Sequence, residues 1–522
     1  MKHLIGIDVG TGSARAGVFD ETGVLKGSAV QEIAIWKGDG NRVEQSSVDI
    51  WSAVCQAVRG AVDASGVDPA SVAGIGFDAT CSLVILGQGG LPLPVSEDRN
   101  IIVWMDHRAT GQAERINALG HPVLDYVGGV ISPEMETPKL LWLKENAPDI
   151  YDVAWQFMDL TDFLTWKASG DLARSVCTVT CKWTYLAHEN RWDASYFEKV
   201  GLGDLSRDDF FRIGSRVVPA GTALGHGLTA EAAEDMGLPE GTPVGAGLID
   251  AHAGGLGTVG TAGDPTRDLA YVFGTSSCTM TTTAEPAFVP GVWGPYHSAM
   301  VPGMWLNEGG QSAAGAAVDQ LIDHHPFAQV AHRQAKAAGQ SLPAWLADRV
   351  GGRDVTQLAA GVHVVPEVLG NRAPHADPHR RATVMGLGMD RGPESLLALY
   401  LATLCGLGYG LRQIIAAQAA AGAGVDRIAV SGGAGRHPLV RQILADTTGK
   451  PVLAPETDEP VLLGAAMLGA LASGLRKDAG DAMRAMSRAG VINHPDAEAV
   501  RRHEGRYAIF EALQDVAARA KA

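Results

Sequence analysis

Two segments about half the chain apart share one pattern of apolar and polar positions. Residues 4–20 consist of an apolar β-branched run, a turn of Gly, Thr and Ser, and a second apolar run that ends in Asp. Residues 268–282 repeat this order, with Gly274–Ser276 in the place of Gly10–Gly12. Apolar runs on both sides of a glycine-containing turn are typical of a β-hairpin. The pattern therefore predicts two hairpins and, because they resemble each other, two related domains.

Each predicted hairpin is followed by a helix and a buried strand. In the first half, apolar residues recur at helical spacing over 48–62, and the strand 72–77 ends at the polar residue Asp78. In the second half, a long helix over 394–419 precedes a strand over 427–430 and a glycine-rich loop. Open α/β sheets bind ligands at the carboxyl ends of their strands. We therefore expect an α/β fold with a site at these strand ends.

Composition limits the number of domains and the class of partner. A chain of 522 residues exceeds the usual size of one hydrophobic core, and the repeated pattern favours two large domains. Its 42 basic and 58 acidic residues give a net charge of −16, which disfavours nucleic acid and anionic membranes. No signal-peptide core precedes the first strand, and no apolar stretch approaches the roughly 20 residues that span a bilayer. We expect a cytoplasmic enzyme with no nucleic-acid or membrane partner.

The six cysteines do not form a disulfide framework in so long a chain. Cys177 and Cys181 are the pair that would suit a metal ion. Because no second pair and no histidine at zinc spacing accompanies them in the sequence, we interpret them as structural thiols.

The turns of the two predicted hairpins suit phosphate groups. Glycine lets the backbone approach an anion closely, and Thr or Ser hydroxyls and amide N–H groups donate hydrogen bonds to its oxygens. Asp8 comes just before the first turn, where a carboxylate could hold Mg²⁺ through water beside nucleotide phosphates. A turn-capping Asp is the structural alternative, but the neighbouring segment Gly10–Ser13 favours the phosphate site. These features predict phosphoryl transfer.

Asp250 stands between an apolar strand and the start of a helix of small residues. A carboxylate between the two hairpins suits a general base that takes the proton of an attacking hydroxyl, a role that contributes roughly 10²–10⁴ in rate. A helix N-cap is the alternative, and the local sequence leaves the two interpretations open.

Other segments suit a nucleoside and a polyhydroxylated ligand. The glycine turn Ser431–Arg436 would let a flat adenine or ribose approach the backbone, although tight strand-to-helix turns also use glycine without a ligand. Donors and acceptors for a sugar occur in Thr80–Val84, Trp104–Arg108, Cys181–Trp183 and Asn307–Ser312. Any one of these segments could instead be structural.

Together these segments resemble the FGGY carbohydrate kinase family, and the resemblance covers the chain to about residue 475. It implies two actin-like, ribonuclease H-like ATPase domains with mixed sheets flanked by helices, which close around a sugar and Mg-ATP in the interdomain cleft. The predicted boundaries are 1–255 for the N-terminal domain, 256–495 for the C-terminal domain and 496–522 for a C-terminal helix. Because dimers are usual in the family, the resemblance also implies a homodimer.

The resemblance also implies roles for single residues. Asp250 would be the catalytic base, and Asp8 would hold Mg²⁺ through water. The implied ATP contacts are Asp8, Gly10, Thr11, Gly12, Ser13, Arg15, Gly274, Thr275, Ser276, Gly315, Gly432, Gly433 and Gly435. The implied sugar contacts are Asp78, Thr80, Cys81, Ser82, Trp104, Asp106, His107, Lys182, Asp250 and Glu308. Arg436-His437 departs from the family pattern, in which many members have Asn.

Within the family, Ile249–His252 and Asn307–Ala313 resemble the ribulokinase branch, and Thr80–Val84 is similar to the motif of D-ribulose-specific pentulose kinases. The implied reaction is ATP-dependent phosphorylation of the terminal hydroxyl of D-ribulose. L-ribulose, xylulose and ribitol or another polyol remain alternative substrates. An actin-like ATPase without sugar kinase activity is an alternative of a different class, but it would not need the sugar-side segments. A catalytically silent sugar sensor would be expected to lack Asp250.

Overall fold

The computed structural model describes residues 1–260 and 264–519. The predicted C-terminal domain includes 261–263 and the predicted C-terminal helix includes 520–522, and both of these short segments lie outside the described residues. Within the described part, the fold is α/β with two large mixed sheets, as predicted.

The first large sheet is built around the first hairpin. His3–Val9 pairs antiparallel with Ser13–Asp20, which pairs antiparallel with Leu25–Glu32. On its other side His3–Val9 pairs parallel with Val72–Ala79, and Val244–Ile249 completes the sheet in parallel. The inner strands are almost entirely buried, as expected for β-branched strands covered on both faces. The predicted hairpin and the predicted strand over 72–77 are confirmed.

The second large sheet repeats the order and directions of the first. Asp268–Phe273 forms the second predicted hairpin with Ser277–Thr283. A third antiparallel strand lies beyond this hairpin and two parallel strands lie on its other side, as in the first sheet. The full strand order is Trp293–His297, Trp305–Gln311, Ser277–Thr283, Asp268–Phe273, Arg427–Ser431, Val452–Pro455 and Ala489–Asn493. The duplication seen in the sequence thus extends from the hairpins to five strands of each sheet.

Three smaller sheets complete the strand set of the described residues. One has the order Trp36–Gly38, Arg42–Gln45, Ile101–Ile102, Leu83–Leu86 and Gln156–Asp159, and the others pair Arg174–Ser175 with Val217–Val218 and His363–Val365 with Thr383–Met385. The α-helices span Ser47–Ser65, Thr110–Ala118, Glu136–Asn146, Pro148–Val153, Leu160–Ser169, Val176–Trp183, Ala194–Val200, Gly203–Arg207, Ala230–Met236, Asp250–Thr258, Gly315–Asp323, Ala328–Ala337, Leu342–Asp348, Val355–Leu358, Pro393–Ala420, Pro438–Thr448, Pro460–Ala472, Ala479–Met486 and Ala497–Arg519.

The longest helix corrects one expectation from the sequence. Pro393–Ala420 is long and apolar enough to cross a membrane by length and composition, although no such stretch was expected. Inside the protein, 89% of its most apolar window is buried. The helix packs in the core of the second half beside the helix Pro438–Thr448. Its apolar character therefore serves packing within the fold.

Two helices cross tightly between the sheets. A Cβ added at Gly464 of Pro460–Ala472 would lie 1.9 Å from the carbonyl oxygen of Ala253, in the helix Asp250–Thr258. Pro460–Ala472 also packs on the first sheet, where a Cβ at Gly6 would lie 1.9 Å from the carbonyl oxygen of Leu462. Such approaches exclude any side chain larger than that of glycine. A helix from the second half of the chain is thereby fixed against the first sheet and against the helix that Asp250 begins.

Candidate active site

Three carboxylates meet at one edge of the first sheet. Asp8 and Asp78 are register partners on adjacent parallel strands, and Asp250 directly follows the next strand, Val244–Ile249. Parallel strands present their carboxyl ends at the same edge, which is why residues so far apart in sequence converge. Asp8 and Asp78 are almost completely buried. The site predicted at the strand ends thus has three acidic side chains.

The negative charge of Asp8 raises the pKa of both neighbouring carboxyl groups. Burial, and then the negative charge of the neighbouring Asp8, raise the pKa of Asp78 well above its usual value. No donor within the described residues reaches either oxygen of Asp78. Burial and the charge of Asp8 raise the pKa of Asp250 to about 6. Asp250 is therefore mostly ionised at neutral pH but basic enough to accept a proton.

Arg15 connects the first hairpin to the second half of the chain. Its Nε donates a hydrogen bond of 2.8 Å to Asp8 Oδ2, and its Nη1 lies 3.1 Å from Glu459 Oε2. Glu459 immediately precedes the helix Pro460–Ala472. Arg15 thus orients Asp8, and its contact to ATP remains a prediction.

Lys182, a predicted sugar contact, lies under an aromatic ring from the second sheet. Its Nζ is 4.8 Å from the centroid of the Trp293 ring, and the Arg372 guanidinium is 5.5 Å from the same centroid. Although burial lowers the pKa of Lys182, Cys81 and Glu308 raise it well above its usual value. Lys182 therefore carries a buried positive charge between the two halves of the chain.

Glu308 lies on the inner strand Trp305–Gln311 and faces Lys182 and His252. His252 Nε2 is 3.3 Å from Glu308 Oε2. Burial alone would raise the pKa of Glu308, but Lys182 and His252 hold it at about 2. Glu308 is thus a buried carboxylate that stays charged and can accept hydrogen bonds from sugar hydroxyls.

The predicted contacts near Thr80 form a hydrogen-bonded chain to the first phosphate turn. Thr80 and Ser82 hydroxyls are 3.1 Å apart, and Ser82 Oγ accepts a hydrogen bond from the Trp104 backbone at 3.2 Å. Trp104 Nε1 donates to Thr11 Oγ1 at 3.0 Å. The sugar-side segments therefore contact the hairpin that is predicted to bind phosphate. Cys81 lies beside them, and burial raises the pKa of its thiol.

Two predicted sugar contacts are occupied by other partners. Asp106 Oδ1 accepts from Arg108 Nε at 2.8 Å, and Asp106 Oδ2 accepts from the Val43 backbone at 2.6 Å. His107 lies 3.4 Å from Glu134 and is exposed. Asp106 therefore holds Arg108 and the backbone at Val43, and a direct contact to a sugar remains a prediction for Asp106 and His107.

Four of the predicted nucleotide residues of the second half line one cavity of about 490 Å³. Gly274, Thr275, Gly315 and Gly433 border it, together with apolar and small side chains of neighbouring helices. A Cβ at Gly315 would lie 2.8 Å from the Gly274 carbonyl oxygen, so glycine is needed where this helix starts on the turn. An apolar cavity beside a phosphate-type turn fits a nucleoside.

The other predicted phosphate residues surround the turns. In the first turn, the Gly10 amide donates to the Ser13 carbonyl at 3.0 Å, and in the second the Gly274 amide donates to the Ser276 carbonyl at 2.9 Å. Gly12 and Thr275 are exposed at the tips. Gly432 and Gly435 line a second cavity of about 320 Å³ on the far side of their loop. Gly432 has φ 88°, a left-handed conformation that favours glycine.

Several residues outside the predicted contacts also come to this site. Trp293, Arg372, Glu134 and His252 approach Lys182 or Glu308 from separate segments. Burial raises the pKa of Glu134, but the hydrogen bond with His107 and the charges of Arg372 and Lys182 lower it below its usual value. His252 was visible two residues after Asp250, but its pairing with Glu308 depends on the packing of the two sheets.

Family models match both halves of the chain. The FGGY family of carbohydrate kinases, N-terminal domain, matches residues 3–257, and its C-terminal domain matches residues 269–473. This chain belongs to the FGGY family of carbohydrate kinases. The family resemblance predicted from the motifs is confirmed, and with it a carbohydrate kinase as the class of enzyme.

Related FGGY proteins cover nearly the whole chain. An "FGGY carbohydrate kinase domain-containing protein" of Homo sapiens is 46% identical over 528 residues, which cover 98% of this chain and 95% of that protein. A D-ribulokinase of Saccharomyces cerevisiae is 39% identical over 516 residues, which cover 90% of this chain and 72% of that protein. A xylulose kinase of Lactobacillus acidophilus superposes with a TM-score of 0.83 at 17% identity, with 99% of each chain covered. This likeness confirms the predicted two-domain fold.

Proposed function

We propose that this FGGY kinase transfers the γ-phosphoryl group of ATP to the terminal hydroxyl of D-ribulose. The observation that carries the proposal is that Asp250, Lys182 and Glu308 lie close together, since the charge of Lys182 lowers the pKa of both carboxyl groups. The yeast D-ribulokinase supports the choice of sugar, since it is 39% identical over most of this chain. L-ribulose, xylulose and polyols are the substrates against which the proposal is tested.

In the proposed mechanism, Asp250 accepts the proton of the attacking hydroxyl. Its pKa of about 6, which burial and Asp8 raise, makes it a stronger base than an exposed carboxylate while it remains ionised at neutral pH. The hydroxyl oxygen then attacks the γ-phosphorus, and ADP leaves with the bridging oxygen.

In this proposal, a positively charged and a negatively charged side chain bind the sugar. Lys182 donates hydrogen bonds and Glu308 accepts them, which suits the carbonyl and hydroxyl groups of an open-chain ketose. Trp293 offers an apolar face next to Lys182. Thr80 and Ser82 add hydroxyls from the segment that also contacts the first phosphate turn through Trp104.

ATP would lie with its adenosine in the 490 Å³ cavity and its phosphates at the turns that begin at Gly10 and Gly274. Carboxylate oxygens are preferred Mg²⁺ ligands, and Asp78 has two oxygens without a donor beside Asp8. These residues fit Mg²⁺, with Asp8 acting through water. The ion would neutralise charge on the phosphates during transfer.

We also propose that the chain is divided into an N-terminal domain (1–255), a C-terminal domain (256–495) and a C-terminal helix (496–522). The enzyme is proposed to act in the cytoplasm as a homodimer. Sedimentation equilibrium of the purified chain tests the dimer, which predicts twice the 54.5 kDa of one chain. A mass of one chain at all concentrations contradicts it.

The test is ADP release with Mg-ATP over D-ribulose, L-ribulose, D-xylulose, ribitol, erythritol and glycerol. We expect the highest kcat/KM with D-ribulose. A higher value with another ketose or a polyol would contradict the substrate and leave the kinase assignment intact. ATP hydrolysis that no sugar stimulates would favour the actin-like ATPase alternative.

A further inference from the structure

Two cysteines and a histidine from two helices of the predicted N-terminal domain meet in the interior of the protein. Cys177 and Cys181 are four residues apart in the helix Val176–Trp183, so their side chains lie on the same face. His252 comes from the helix Asp250–Thr258 and is completely buried, as are both thiols. The fold thus brings His252 next to Cys177, although the two residues are 75 positions apart in the sequence.

The three donor atoms are close enough to share one ion. Cys177 Sγ lies 3.1 Å from His252 Nδ1, and the three ligand atoms all lie within 4.8 Å of one another. Tetrahedral zinc with Zn–S of about 2.3 Å and Zn–N of about 2.0 Å separates its ligand atoms by about 3.5–3.8 Å. The observed spacing therefore needs only small side-chain movements to reach that geometry.

Neighbouring groups orient the donors as they do in known metal centres. His252 Nε2 faces Glu308 Oε2 at 3.3 Å, which directs Nδ1 toward the cysteines. A histidine ligand commonly donates its other ring N–H to a carboxylate in this way. The Ile249 backbone N–H donates to Cys177 Sγ at 3.4 Å. Both contacts would remain in place around a bound ion.

We propose that Cys177, Cys181 and His252 form a binding site for a thiophilic divalent cation, Zn²⁺. Two sulfur atoms and one imidazole nitrogen favour such an ion over Mg²⁺, which prefers oxygen ligands. Each coordinating thiol loses its proton to solvent on binding, and three protein ligands leave one position of a tetrahedron open. This site is separate from the three carboxylates at the edge of the first sheet.

The ion would join the two helices that carry Lys182 and Asp250. Lys182 follows Cys181 directly, and Asp250 lies two residues before His252. A cross-link at this point would fix the distance between the sugar-side lysine and the candidate base. The site itself does not depend on the substrate, so its test does not rest on the proposed reaction.

The test is the metal content of the full-length chain produced with zinc in the medium and purified under a thiol-free reductant. Cys177→Ala and Cys181→Ala remove ligands, and Cys405→Ala removes a buried thiol elsewhere as the matched control. We expect about one zinc per chain in the wild type and in Cys405→Ala, and at least a roughly tenfold lower content in the two ligand variants. Circular dichroism and gel filtration show whether each variant is folded.

Cobalt gives a second measurement that needs no variant. Wild-type protein produced with Co²⁺ should show the charge-transfer absorption of cobalt bound to thiolate. Wild-type chain without zinc and without this absorption would overturn the proposal. Equal zinc in the wild type and in folded Cys177→Ala and Cys181→Ala would overturn it as well, because the metal would then lie elsewhere.

Discussion

Lys182 Nζ lies 4.8 Å from the centroid of the Trp293 ring, and this contact joins the two halves of the chain. Lys182 comes from a helix of the first half, and Trp293 from an edge strand of the second sheet, where it is the register partner of Glu308. A buried cation thus stands between an aromatic face and a carboxylate. The charge of Lys182 is therefore the first feature to test.

Replacing Lys182 with methionine should lower kcat/KM for the sugar by about 30-fold or more, since removing one partner of buried charges costs about 2–5 kcal/mol. The variant leaves Glu308 without its main compensating charge. Lys167→Met is the matched control, because Lys167 pairs with Glu231 on the surface at 2.7 Å. Steady-state kinetics measures kcat/KM for both variants. Equal kcat/KM values would show that Lys182 does not contribute to sugar binding or catalysis.

Asp250→Asn should lower kcat by about 10²–10⁴, the usual contribution of a general base. Nucleotide affinity should stay within about twofold, because Asp250 does not border the 490 Å³ cavity. Asp63→Asn changes an exposed carboxylate of the helix Ser47–Ser65 and should have no effect. Single-turnover kinetics and nucleotide titration separate the two quantities. An unchanged rate in Asp250→Asn would show that another group accepts the proton.

Ala344→Phe should raise KM for ATP by about tenfold or more, with little change in KM for the sugar, because filling a pocket excludes its ligand. Ala344 borders the proposed adenosine cavity. Ala337→Phe places the same side chain on an exposed helix position and is the control. If Ala344→Phe affected only the sugar, the nucleotide would have to bind elsewhere.

Gly464→Ala should destabilise the protein by about 1–3 kcal/mol, the usual cost of overpacking. Its new Cβ would lie 1.9 Å from a backbone oxygen of the crossing helix. Gly505→Ala, in a helix with nothing within 4 Å of the added methyl, should instead stabilise it by about 0.4–1 kcal/mol. Thermal unfolding compares the pair. A Gly464→Ala variant as stable as the wild type would contradict the observed helix crossing.

His503 should make stability depend on pH. Its Nδ1 accepts a hydrogen bond from Tyr409 OH at 2.7 Å, and its pKa is lowered to about 4. Burial is the main cause, followed by the charges of Arg506, Arg502 and Arg412, while Asp354 acts in the opposite direction. Because the unfolded chain takes up this proton near pH 6.5, stability is lost as pH falls from about 6.5 toward about 4, by at most about 3 kcal/mol.

The control for this effect is His503→Gln, which can still accept from Tyr409 but does not titrate. Unfolding of both proteins is followed between about pH 7.5 and pH 5, and the difference between them isolates the histidine. Equal pH dependence in the two proteins would contradict the assignment.

Local sequence patterns predicted the elements that depend on neighbouring residues. The two hairpins and the helices Ser47–Ser65 and Pro393–Ala420 follow from apolar spacing and turn residues, and the structure has them within a few residues of prediction. Asp8 and Asp78 were placed at strand ends, so their proximity followed from parallel pairing. The raised pKa of Asp78 depends on burial and on the charge of Asp8. The sequence pattern alone does not show how deeply the two residues are buried.

Contacts between distant segments could not be predicted in this way. The position of Trp293 over Lys182 depends on how an edge strand of one sheet packs on a helix of the other half. The meeting of His252 with Cys177 depends on two helices separated by about 70 residues. Contacts of this kind leave no pattern in neighbouring residues. The family motifs indicated Lys182 and Glu308 as separate residues but did not predict that they lie close together.

The most direct test of the central claim is the identity of the product. Wild-type protein is incubated with Mg-ATP and D-ribulose, and ³¹P NMR follows the phosphorus signals. We expect the γ-phosphate signal of ATP to decrease while the signal of a phosphate ester on the terminal carbon of the sugar increases by the same amount. We expect Asp250→Asn to slow this conversion. Release of inorganic phosphate without a sugar phosphate would contradict it.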